Sequence, residues 1–148
     1  IDAPYNYNGV FHFDGGRITC WQDDAMETSC RDYPLQDGTM VRQYDVGTGP
    51  NRYSHLYTLF RYRSSGETSE LTRLHVHEYT FYDGTDSYNS YGIDDEELDE
   101  ESFQSQFEEL VTSRLLGRSA WTPVMSDDEQ GIASVKAAVA DGVQQARK

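Results

Sequence analysis

"RYSHLYTLFRYR" (52–63) and "ELTRLHVHEYTFY" (70–82), separated by "SSGETS" (64–69), decide the fold of this chain. Both runs are rich in aromatic residues and alternate in character with a period of two, which describes strands and not helices. A polar, Gly-containing link of six residues between them predicts an antiparallel hairpin. After "DGTDSYNSYG" (83–92), read as a polar loop, the period changes. Leu98, Phe103, Phe107, Leu110, Val111 and Leu115 recur at helical spacing and predict a helix from about 94 to 116, stopped at Gly117. "SDDE" (126–129) matches a capping box and predicts a second helix from Ser126. Its narrow apolar stripe is Ile132, Val135, Ala138, Val139 and Val143.

Towards the N-terminus, 9–13 and 17–22 read as a hairpin around the turn "DGG" (14–16). Residues 23–38 read as loop with a short strand near Cys30, and 39–46 as a further strand. Strands first and helices last give an α+β domain: an antiparallel sheet of about five strands with two C-terminal helices packed on one face. The 148 residues suit one domain, mainly β over 1–92 and helical over 93–148.

The charge is −14, from 26 acidic and 12 basic residues. A field of that sign repels phosphate backbones and anionic lipid, so bulk nucleic-acid binding is not expected. No apolar run approaches the roughly 20 residues of a membrane span. Hydrophobic residues make up only 36%, but 11 Tyr, 6 Phe and 2 Trp compensate with large rings. Tyrosine buries a ring and keeps a wet hydroxyl, which suits a sheet with one open, interactive face.

Cys20 and Cys30 are the only cysteines, and in an oxidising compartment they have one possible pairing. Such a disulfide would staple the loop to the first hairpin, with Trp21 packed on it and Trp121 anchoring the interhelical connector. Few lysines (Lys136 and Lys148 alone), many Tyr, Ser, Thr, Gly and Asp, and a start at Ile1 instead of Met point to a mature secreted protein, effector-like in character.

"DDEELDEE" (94–101) has seven acids in eight residues. Acids are favoured in a first helical turn, where free N–H groups and the helix dipole meet them. An EF-hand does not fit: Gly92 at position 6 of the loop puts Leu98 where a bidentate Glu belongs. No Gly-rich phosphate loop, G-x-S-x-G or H-E-x-x-H occurs, and no cofactor or metal is expected.

Candidate chemistry gathers on the long hairpin. Alternation puts Leu71, Arg73, His75, His77, Tyr79 and Phe81 on one face of the second strand, and Tyr53, His55, Tyr57, Leu59 and Arg61 on one face of the first. Leu56, Phe60, Leu74 and Val76 form the simplest apolar set for helices to cover. The opposite faces then join His55, Tyr57 and Arg61 to Arg73, His75, His77 and Tyr79, although a loop of this length does not dictate the register.

Three chemistries compete for that surface. An H-x-H pair on one strand face can chelate a metal, but the cupin pattern requires a Glu where this chain has Phe81 and Tyr82. Paired histidines with an arginine are the parts of a metal-free phosphoester hydrolase. "YSHLY" (53–57) is similar in residue type to the open-sheet site of small secreted fungal ribonucleases, which resemblance implies acid–base cleavage of RNA. Those enzymes carry their helix before the sheet, however, and Glu78 falls on the other face of its strand. Recognition of a partner protein or a small anionic ligand by Tyr and Arg requires no tuned group or third ligand. It is the reading this sequence favours.

Overall fold

The computed structural model describes residues 1, 9–14, 16–23, 29–80, 84, 86–117 and 129–146. Eight strands form two antiparallel sheets, followed by two helices. β1 (Val10–Asp14) and β2 (Arg17–Gln22) make a separate two-stranded sheet. β3 (Cys30–Pro34), β4 (Met40–Gly49), β5 (Arg52–Tyr62), β6 (Thr68–Thr80), β7 (Ser87–Ile93) and β8 (Glu96–Leu98) follow one another in a six-stranded meander. α1 spans Glu100–Leu110, a short 3₁₀ turn spans Thr112–Arg114, and α2 spans Glu129–Ala146. The α+β class and antiparallel sheet follow the sequence reading, but the strands exceed the five expected.

The difference lies in two segments. The expected loop 83–92 contains most of β7, because its tyrosines alternate: Tyr91 is buried in the core while Tyr88 is 53% exposed on the far face. The expected helix from 94 begins only at Asp99, whose carboxylate accepts the Ser102 N–H at 2.7 Å. Before it, Asp94 and Asp95 turn β7 into β8. Asp94 takes a left-handed φ of 50°, which aspartate tolerates better than most residues. Its N–H reaches the Arg73 carbonyl at 2.7 Å and its carboxylate accepts the Arg73 N–H at 2.9 Å, so the acidic run extends the sheet before it caps the helix.

α1 covers one face of the large sheet. Phe103 and Val111 enter a core made by Tyr33, Leu35, Val41, Leu59, Leu74 and Tyr91, with Phe107 and Leu110 packed against it. Burying one such side chain contributes about 1.5–3 kcal/mol. The chain after the 3₁₀ turn runs back along the edge strand β3: Leu35 bridges Leu115, and the Gln36 N–H donates to the Arg114 carbonyl at 2.8 Å. That return shields an otherwise open strand edge. Asp37 fastens the same corner by accepting from Arg114, with Arg61 3.5 Å away.

α2 contributes no residue to this core among the described residues, and Val139 on its expected stripe is 47% exposed. The helix exists, and among the described residues none of its side chains joins the core that α1 completes. The Ser126 cap and Trp121 lie outside the described residues. No described helix is long and apolar enough to cross a membrane.

No disulfide joins Cys20 to Cys30; the Cys20 thiol is exposed and lies 3.5 Å from the Gln22 carbonyl. The expected staple is replaced by ring stacking. Trp21 stacks on His12 at 4.2 Å and on Tyr62 at 5.0 Å, seating β2 against the end of the large sheet instead of against a disulfide. Gly66 makes room: a Cβ there would lie 2.8 Å from the indole.

Candidate functional site

The register of β5 against β6 determines which side chains share a face. Leu59 pairs with Thr72 but Phe60 pairs with Glu70, so Leu71 is an extra residue, a β-bulge. Beyond it, odd-numbered residues of β5 face even-numbered residues of β6: Tyr57 lies opposite Leu74 and His55 opposite Val76. The face expected to gather His55, Tyr57 and Arg61 with Arg73, His75, His77 and Tyr79 is therefore not formed. The sheet itself stands between the two groups. The apolar set changes accordingly, with Leu59 and Leu74 buried on the α1 side and Tyr57 and Val76 packed beside them.

On the α1 side, Tyr57 meets Phe107 edge-on at 4.8 Å. Burial, then the charges of Asp45 and Glu78, push its phenol up to about 12. His55 sits between two carboxylates, with Nδ1 2.7 Å from Asp45 and Nε2 3.4 Å from Glu78. Glu78 thus shares the face of His55, which sequence reasoning placed elsewhere because it assumed the other register. With carboxylates at both of its nitrogens, His55 is set in surroundings that repel phosphate. Arg61 is farther along, within 3.4 Å of the Thr39 hydroxyl.

The opposite face forms a ladder of rungs across β5, β6 and β7. Arg52, Tyr79 and Tyr88 make the first, Ser54, His77 and Ser90 the second, and Leu56, His75 and Gly92 the third. Thr58 pairs with Arg73 below them. Arg73, His75, His77 and Tyr79 are thus brought together as expected for their own strand. Their neighbours are Arg52, Ser54, Leu56 and Thr58; none was expected at the site, and Leu56 was expected under the helices instead.

The side chains on this face contact one another in series. His75 and His77 stack with centroids 4.7 Å apart, His77 meets Tyr79 edge-on at 6.5 Å, and Tyr79 stacks on Tyr88 at 4.7 Å. The Arg52 guanidinium lies over Tyr79, 5.2 Å from its centroid. Ser54 is fully buried and lies 2.7 Å from His77 Nδ1 and 3.4 Å from the Thr48 hydroxyl. That contact fixes the ring and leaves Nε2 of His77 without a hydrogen-bond partner among the described residues. The Cε1–Nε2 edge of the His75 ring lies against Gly92, where a Cβ would clash with it.

A cleft of about 330 Å³ opens between Leu56, Thr58, Arg73, His75, His77 and Asp94, with Tyr57 and Leu74 beneath. Both imidazoles are held below the ordinary histidine range. Burial is the main cause for each, followed by the Arg52 charge; His75 adds to the effect on His77, and Glu97 opposes it at His75. The pair is therefore uncharged at neutral pH and offers ring nitrogens to a guest. Arg73, two-thirds exposed, is held by Glu70 through two contacts of 2.5 and 2.9 Å. No group of three or more His, Cys, Asp or Glu side chains is placed to hold a metal among the described residues.

Compared with known proteins, the chain matches no family model, no curated protein and no solved structure.

Proposed function

We propose that this protein is a recognition module whose open sheet face binds a small anionic ligand in the cleft between Leu56, Thr58, Arg73, His75 and His77. The observation that carries the reading is the cleft itself. Its volume of about 330 Å³ falls at the small end of the range for small-molecule sites, and it mixes an apolar wall with a few convergent polar groups. The concave form favours a small guest over a flat protein partner. Arg52 and Arg73 stand at the two ends of this ladder and supply cations for an anion, with Glu70 on Arg73 and Asp94 on the cleft wall beside them. An extracellular, effector-like setting belongs to the same proposal on composition, now without the disulfide as support.

Ligand-detected and histidine-detected NMR against a panel of phosphate, sulfate, carboxylate and neutral ring compounds tests this. Saturable shifts at His75 and His77, weakened tenfold or more by His75→Ala with the fold retained, are the expected result. A panel that leaves both rings unmoved sinks it. Turnover of a phosphoester between pH 5 and 8 that is lost in His77→Ala would replace binding with the hydrolase reading.

A further inference from the structure

We infer that Arg52, lying on Tyr79 beside the histidine pair, is an oxyanion anchor, and that an oxyanion held there is taken up together with a proton on the imidazoles. This rests on the open face being a binding surface and names both its anchor and its ligand class.

The first ground is what Arg52 lacks. Arg42, Arg61, Arg73 and Arg114 each face a carboxylate within 4 Å. Arg52, like Arg17 and Arg63, faces none among the described residues, but those two are exposed whereas Arg52 is half-buried beside an aromatic ring. Its Nε is buried and has no hydrogen-bond partner among the described residues. That shielded donor is closed to a guest as it is to water, so an oxyanion would be met by the terminal Nη groups of the guanidinium. A guanidinium presents its donors in a planar fork that matches the oxygens of a carboxylate, sulfate or phosphate. The Tyr79 ring beneath the guanidinium adds a cation–π contact that helps to hold it in place.

The second ground is the company it keeps. One rung away, the Nε2 edge of His77 has no partner among the described residues, with His75 stacked behind it. The groups facing this pair are Arg52 and Ser54 from β5, Arg73 and Tyr79 from β6, Tyr88 and Ser90 from β7, Glu97 from β8 and Asp94 from the turn. Arg52 is the cation whose charge opposes protonation of both rings. An anion on Arg52 cancels that repulsion and attracts the new charge directly. Linkage then requires the reverse: protonated rings bind the anion more tightly, so affinity rises as pH falls.

Sulfate is the cleanest probe, because its charge does not change between pH 5.5 and 8. Calorimetric titration at constant ionic strength, in buffers of different protonation enthalpy, should show saturable binding several-fold tighter at pH 5.5 than at 7.5, with net proton uptake. Arg52→Gln should weaken it at least tenfold while the thermal transition and the histidine resonances persist, and Arg52→Lys should restore part of it. Should Arg52→Gln not fold, His77→Gln serves: sulfate should still bind, with reduced proton uptake. Sulfate binding equal in Arg52→Gln and wild type, absent from wild type, or independent of pH overturns the proposal. A carboxylate or neutral guest seated in the cleft without regard to Arg52 overturns it too, yet leaves the recognition reading standing.

Discussion

A Cβ on Gly92 would lie 2.3 Å from Cε1 and 2.5 Å from Nε2 of His75, and 3.0 Å from the Glu96 carbonyl. The imidazole rests where any other residue would carry its side chain. Gly92→Ala should therefore cost about 1–3 kcal/mol in urea denaturation, the usual range for overpacking, and move the His75 ring signals more than those of His55. Unchanged His75 signals would refute the contact. Because burial and Arg52 hold His75 and His77 below the ordinary histidine value of about 6.5, the folded protein resists protons that the unfolded chain accepts. Their contribution to stability is intact above about pH 6.5 and is lost as pH falls below it. The urea midpoint should drop over that interval, and less so in His75→Gln than in wild type. Tyr57, pushed to about 12, behaves in the opposite sense: its contribution is intact below pH 10 and is lost above it.

At the level of elements, α1 is the piece on which the large sheet's core depends. Phe103→Ala should cost about 3–5 kcal/mol, since the ring is 2% exposed and packs on Tyr91 and Phe107. Asp99→Ala removes only the cap and should cost about 1 kcal/mol. Urea titration of both variants checks the order, and a larger loss at Asp99 would mean that the cap, not the ring, holds the helix. Sequence pattern identified β5 and β6 nearly to the residue, because aromatic and β-branched runs of that length have few alternatives. It missed β7, whose Ser, Asn and Gly have low strand propensity; pairing with β6 overrides that preference. It also started α1 too early, since acids suit a first helical turn but Asp94 is equally suited to a left-handed turn position.

Across the whole molecule, the two thiols report on how the fold is closed. With Cys20 and Cys30 not bonded to each other, both should react with a thiol reagent in denaturant, the exposed Cys20 first under native conditions. The melting temperature should not respond to reductant. A fall on reduction would show a covalent link and restore the stapled arrangement. The candidate site was half legible. Alternation alone placed Arg73, His75, His77 and Tyr79 together, but which residues of β5 join them depends on parity across the hairpin, and no local pattern encodes parity. Leu71, the residue that slips out of the ladder, sets it. Sliding the distal half of β6 by one position would send Leu74, 1% exposed, into water and drive both stacked imidazoles under α1. The hydrophobic load on one side thus acts as a latch for the chemistry on the other. A one-residue deletion at Leu71 would threaten the binding face without altering a single residue that lines it.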